Sequence, residues 1–191
     1  LITQVIEIEA LRSGKLELNL QPVTLTKIFS DVHFVFDTRL KEKNISLHID
    51  CSPNICIMGD PSSLLNCVFN NLISNAIKFS PEGHEIHIKA YQLPDSGVVV
   101  TVTDQGVGMP EEIMQNIFDP VKNRTREGTN QEKGIGFGMP LVKAFLDAHN
   151  SIISVANAPT GARGTIFKIE FPPAAWQIDI ARAAFTTDPN F

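Results

Sequence analysis

Three short segments hold the residues best able to do chemistry in this chain. They are Asn71-Leu-Ile-Ser-Asn75-Ala-Ile-Lys78-Phe79, Asp104-Gln-Gly106-Val-Gly108-Met109 and Gly134-Ile-Gly136-Phe-Gly138-Met139. Asn71, Asn75 and Lys78 are spaced i, i+4 and i+7, so on a helix they share one face and can converge on a polyphosphate and its metal. The neutral carbonyl oxygen of Asn75 suits a hard cation such as Mg2+. Lys78 brings a point charge for a phosphate oxygen, and Phe79 an apolar or stacking wall. Asp104 can accept a hydrogen bond from an exocyclic amine, which separates adenine from guanine. Gly134, Gly136 and Gly138 precede a helix, an arrangement that turns backbone N–H groups toward a phosphate. Their GxGxG spacing is neither a dinucleotide fingerprint nor a Walker loop.

Taken singly, each segment has a plainer reading. Asn71 and Asn75 can satisfy helix-end backbone, Asp104 can form a turn, and Lys78-Phe79 can be surface and core. Together, in this order, they read as a nucleotide pocket.

The elements that must position these residues follow from periodicity. Leu1, Val5, Ile8 and Leu11 mark a helical stripe closed by Ser13-Gly14, after which Lys15 to Leu20 alternates as a strand does. Leu25, Ile28, Phe29, Val32, Phe36 and Leu40 predict a helix over 24–42 with Thr24 as cap, followed by a strand over 45–49. Asp60-Pro61 opens a long helix over 61–79, with the Asn-rich segment in its last turns. Strands over 85–90 and 98–103 form a hairpin around Pro94-Asp-Ser-Gly97, and Asp104 ends the second. A helix over 140–149, with Leu141, Phe145 and Ala148 on one stripe, leads to strands over 152–156 and 165–171. The polar segment from Pro120 to Lys133, carrying Lys122, Arg124, Arg126 and Lys133, reads as an irregular loop.

Composition excludes several classes. A net charge of -5 and 43% hydrophobic residues describe a globular domain without a broad basic field, so no nucleic-acid partner is expected. The sequence contains no apolar run long enough for a bilayer. Cys51, Cys56 and Cys67 are odd in number and form no CxxC, so they read as small hydrophobes in a reducing compartment. The histidines read as structural: His84 and His87 fall on opposite faces of one strand, and His33 and His48 stand isolated.

The order of these motifs, with Gly59-Asp60-Pro61, Ile117-Phe118-Asp119-Pro120 and Gly164-Thr165-x-Phe167, resembles the catalytic ATP-binding domain of sensor histidine kinases in the GHKL superfamily. The resemblance implies an α/β fold: a two-layer α/β sandwich of the Bergerat type, with a mixed, largely antiparallel sheet and three covering helices. It implies ATP and Mg2+ as ligands. The residues it implies at ATP are Asn71, Asn75, Lys78, Phe79, Asp104, Gly106, Gly108, Met109, Arg124, Lys133, Gly134, Gly136, Gly138, Met139 and Thr165, with Asn75 on the metal and Asn71 and Lys78 catalytic. Residues 1–14 resemble the end of a dimerisation and phosphotransfer helix, 15–173 the catalytic domain, and 174–191 a tail of open character.

In gyrase-type relatives a Glu activates water at the position held here by Asn71, and an amide cannot take that proton. The expectation is therefore phosphoryl transfer to a histidine upstream of Leu1, in a fragment of a longer protein, and relay to a response-regulator Asp. The partners implied are the upstream phosphotransfer domain of a homodimer and a receiver domain. The location implied is cytoplasmic, with any inner-membrane anchor lying in missing upstream segments. A GHKL-type Ser/Thr protein kinase and a degenerate docking module are the alternatives. Val121, Asn123, Phe137, Met139 and Asn150-Ser151 depart from the family pattern.

Overall fold

The structure, a computed structural model, describes residues 2–121, 129, 138–159 and 163–174, with 2–5 and 12 described by their backbone. The first helix, α1 (Ile2–Arg12), ends where Gly14 takes a φ of +69°, a left-handed conformation that glycine adopts without a Cβ penalty. The alternating stretch 15–20 forms no strand, and the Lys15 and Leu16 N–H groups instead donate back to Ala10 O at 2.9 and 3.0 Å. Strand β1 (Gln21–Thr24) lies just beyond it, pairing antiparallel with β3 (Cys56–Gly59) in a two-stranded sheet. Alternation by itself does not make a strand, which needs a partner for its backbone groups. Here the four residues of β3 supply that partner to 21–24, while Asn19 N–H donates to Asp60 Oδ2 at 2.9 Å.

Helix α2 (Leu25–Glu42) buries all six apolar residues of its predicted stripe. Thr24 sits at its N-cap without a side-chain capping bond, the hydroxyl lying instead 3.5 Å from Cys56 Sγ. Strand β2 (Ser46–Cys51) follows. Asp60 then caps α3 (Pro61–Ser63), accepting from Ser63 N–H at 2.8 Å, with Pro61 in the first turn where a missing N–H costs nothing. The helix continues through a π-helical stretch, Leu64–Phe69, into α4 (Asn70–Phe79).

The remaining strands are β4 (Glu85–Gln92), β5 (Val98–Asp104), β6 (Ile152–Asn157) and β7 (Thr165–Phe171), with helices α5 (Glu111–Met114) and α6 (Gly138–Ala148) between β5 and β6. They form a five-stranded sheet ordered β2-β4-β5-β7-β6, parallel at β2–β4 and antiparallel elsewhere. This is the mixed, largely antiparallel sheet expected, covered on one face by α2, α4 and α6. Ile86, Ile88, Val100, Val102, Phe167 and Ile169 meet the helices there. Phe29 and Phe69 lock α2 to the π-helical stretch edge to face, at 5.2 Å and 89°, a geometry contributing about 0.5–1.5 kcal/mol beyond its buried area.

Two details of α6 differ from its periodicity. Among the described residues it is already helical at Gly138, and its inward face is Leu141, Val142, Phe145 and Leu146, leaving Ala148 exposed. His149 is buried: Nδ1–H donates to Phe145 O at 2.6 Å and Nε2 accepts from Asp60 N–H at 3.0 Å, so burial holds the imidazole neutral with its pKa lowered. The chain turns at Asn150 with a φ of +54°, a left-handed position that asparagine tolerates in place of glycine. Cys51, Cys56 and Cys67 are half-buried thiols in no disulfide, and burial pushes the Cys67 thiol up to about 11.

Candidate functional site

The last turns of α4, the end of β5 and the start of β7 meet at one end of the sheet. Helical spacing on α4 lines up Asn71, Asn75 and Lys78 as expected, all half-buried or buried. Asn71 Nδ2 donates to Cys67 O at 2.9 Å, one turn back. That bond turns its Oδ1 toward the first residue of α6: a Cβ added to Gly138 would lie 2.8 Å from Asn71 Oδ1. Glycine at 138 therefore lets the α6 N-terminus approach the Asn-bearing helix. The Lys78 ammonium lies 4.9 Å from the Phe79 ring centroid, a cation–π distance.

Asp104, the last residue of β5, is 5% exposed. Its Oδ1 accepts from Gly106 N–H at 2.9 Å and from Thr165 N–H at 3.1 Å. Neither bond uses Oδ2, so one carboxylate oxygen orients the group and the other is available to an amine donor. Burial pushes the carboxyl up to about 6, against the lowering effect of those two N–H groups.

Backbone packing around Asp104 admits no side chain at two places. A Cβ on Gly106 would meet Phe79 O at 2.4 Å. One on Gly164, at a φ of +126°, would meet Asp104 O at 1.8 Å. Gly108 adopts a φ of +71° beside Met109, and Thr165 is buried. Met139 is buried in the core just inside α6. Arg124, Lys133, Gly134 and Gly136, with Lys122 and Arg126, lie outside the described residues.

Two further residues support the site without belonging to its motifs. Lys43, the C-cap residue of α2, buries its ammonium against the end of α4, donating to Ile77 O at 2.8 Å, Lys78 O at 3.2 Å and Thr129 Oγ1 at 2.7 Å. Thr129 in turn bonds Lys78 O and Ser80 O, so one cation ties α2, α4 and the polar segment together. Asn157, at the end of β6, clamps Met109 through both backbone groups, at 2.7 and 2.8 Å. A lysine after a helix and an asparagine ending a strand give no sequence signal of such bonds; each role exists only once distant elements meet.

Residues 59–175, more than half the chain, match the family described as "Histidine kinase-, DNA gyrase B-, and HSP90-like ATPase". The chain belongs to this family. Its ATPase-family domain is similar to the sensor histidine kinase TmoS of Ectopseudomonas mendocina, 26% identical over 171 residues. That match covers 90% of this chain and 17% of TmoS, so the chain spans about a sixth of that relative's length. Among solved structures it resembles full-length ShkA in complex with AMPPNP, with a TM-score of 0.73 at 24% identity over 90% of this chain and 35% of that one. It also resembles the histidine kinase ThkA in complex with response regulator protein TrrA, with a TM-score of 0.66 at 20% identity over 91% of this chain and 49% of that one. At these identities the structural likeness establishes the fold, which is that of histidine kinase catalytic domains.

His84 precedes β4 rather than lying in it, and His48 is not isolated: the parallel register of β2 and β4 sets it opposite His87. A pairing between strands some forty residues apart is invisible to local spacing.

Proposed function

We propose that this ATPase-family domain binds Mg-ATP at the α4–β5–β7 end of the sheet and transfers the γ-phosphoryl group to a histidine outside the pocket. The observation that carries the choice of transfer over hydrolysis is Asn71. Its amide donates to Cys67 O in the preceding π-helical stretch, at the position on α4 where a general base for water would be a carboxylate. Asp104 Oδ2 would accept from the adenine amino group, and Gly106, Gly108, Met109 and Thr165 would frame the base. Asn75 would hold Mg2+, which supplies charge neutralisation on the phosphates when bound. Lys78 would orient a phosphate beside it, and Phe79 would wall the pocket.

Arg124, Lys133, Gly134, Gly136, Gly138 and Met139 complete the proposed ATP set from the third motif and the polar segment. In the transfer, an imidazole nitrogen forms a bond to the γ-phosphorus. The bond to the β–γ bridging oxygen breaks, ADP leaves with the electron pair, and an acidic neighbour of the acceptor takes the imidazole proton.

The acceptor would belong to a phosphotransfer domain of a longer, homodimeric protein, for which residues 1–14 would be the tail end of a helix and 15–173 the catalytic domain. A receiver domain would take the phosphoryl group, as suits a relative crystallised with its response regulator. Among the described residues no helix is long and apolar enough to cross a membrane. A domain that uses ATP in this way would work in the cytoplasm.

The test is calorimetric titration of the chain with AMPPNP, with and without Mg2+, followed by an assay of phosphate release from ATP. Saturable binding that depends on Mg2+, falls at least roughly tenfold in Asn75→Ala and is not matched by GTP, together with negligible phosphate release, is expected. Mg2+-independent binding equal in Asn75→Ala would overturn the metal assignment, and steady multiple-turnover hydrolysis would overturn the transfer reading.

A further inference from the structure

The face of the five-stranded sheet turned away from the helices carries a cluster that the nucleotide site does not use. Along β4, Ile86, Ile88 and Ala90 point inward, so Glu85, His87 and Lys89 point out. The parallel register sets Ser46, His48 and Asp50 of the edge strand β2 beside them, pair by pair. His48 and His87 stack with ring centroids 4.8 Å apart and planes 17° apart. Both imidazoles turn Nε2 toward one carboxylate: His87 Nε2 lies 3.0 Å from Glu85 Oε2, and His48 Nε2 lies 3.6 Å from Glu85 Oε1. The three ligand atoms lie within 4.8 Å of one another.

We propose that His48, Glu85 and His87 form a binding site for a divalent transition-metal ion of the zinc class, which staples the edge strand β2 to β4. Two imidazoles and one carboxylate are the donor set such ions take, whereas Mg2+ and Ca2+ prefer all-oxygen surroundings. Donors on one Zn2+ at about 2.0–2.1 Å lie roughly 3.4 Å apart in a tetrahedron, so closing the cluster on an ion draws the ligand atoms together by about 1 Å and tilts the two stacked rings until both Nε2 lone pairs meet at one point. The side chains can make these movements, being 52%, 46% and 33% exposed for His48, Glu85 and His87. Water would fill the fourth position. The strand chemistry gives the ion a purpose, because an edge strand is held on one side only and a cross-strand chelate fixes its register. The Mg2+ proposed at Asn75 would sit on the helix side of the sheet, so the two ions would not compete.

The experiment titrates the whole chain with Zn2+ and with Co2+ at about pH 7.5. Heat, Co2+ ligand-field absorption and thermal midpoint are followed. One ion per chain is expected, with a raised midpoint and an AMPPNP affinity that does not change on adding Zn2+. His48→Ala and His87→Ala should each lower Zn2+ affinity roughly tenfold or more, and Glu85→Gln should lower it too. Because these side chains are surface groups, the variants should melt like the parent without metal, which separates loss of a ligand from loss of fold. Retained affinity in the His48→Ala/His87→Ala double variant, or an absence of Zn2+ binding by the parent chain, would overturn the proposal.

Discussion

Replacing Asp104 by Asn separates the cost of burying this carboxylate from its use. The carboxyl ordinarily titrates near 3.8 and burial pushes it up to about 6. A folded-state pKa above the unfolded one means that the folded chain holds the proton more tightly, so stability declines as pH rises between those two values and is flat above them. At 1.36 kcal/mol per pH unit, a chain with ionised Asp104 gives up about 3 kcal/mol relative to one in which the group is neutral.

Asparagine is the same size, and its Oδ1 can still accept from Gly106 and Thr165 N–H. Urea unfolding of parent and Asp104→Asn from about pH 4 to pH 8 should show the variant gaining on the parent as pH rises, by up to about 3 kcal/mol, with a plateau above the carboxyl's titration. AMPPNP affinity should fall in the same variant, since an amide N–H would replace Oδ2 where the adenine amino group must donate. A stability difference independent of pH would refute the burial argument. A pH-dependent gain with AMPPNP affinity unchanged would keep the burial argument and remove Asp104 from the base contact.

Lys43→Met keeps the apolar stem but removes three hydrogen bonds at the end of α4, and should lower unfolding free energy by about 2–3 kcal/mol in urea melts; an unchanged midpoint would mean that the α2–α4 tie carries no net stability. Gly164→Ala forces a Cβ against Asp104 O in a backbone conformation reserved for glycine, and should cost more than about 3 kcal/mol by thermal denaturation. Gly14→Ala, whose Cβ meets open space at a φ of +69°, should cost only about 1–2 kcal/mol, and equal losses at both positions would refute the steric argument.

Pairing partners, rather than local pattern, decide three features of this chain. The Lys15–Leu20 alternation looked like a strand, yet the pairing fell on 21–24 because that is where β3 passes. The stripe of α6 rotated by about one residue because its core neighbours are Leu141, Val142, Phe145 and Leu146 rather than Ala148. His48 looked isolated because nothing local announces which strand will lie beside it. In each case the local pattern left the neighbour undetermined, and over 15–20 it misplaced the strand as well.

By itself the sequence determined what depends on short spacing. Six apolar residues at helical intervals made α2, Asp60-Pro61 started the long helix, and i, i+4, i+7 placed Asn71, Asn75 and Lys78 on one face. These outcomes follow from chain geometry over one to five turns, which no partner has to supply. Tertiary structure decided the rest. The Lys43 ammonium on the end of α4, the Asn157 clamp on Met109, the Thr165 N–H that helps aim Asp104, and the bridging of His48 to Glu85 and His87 each join residues separated by tens of positions. Such contacts exist only after the sheet has chosen its strand order and register, and that choice is made by burial of a whole face at once rather than by any segment alone.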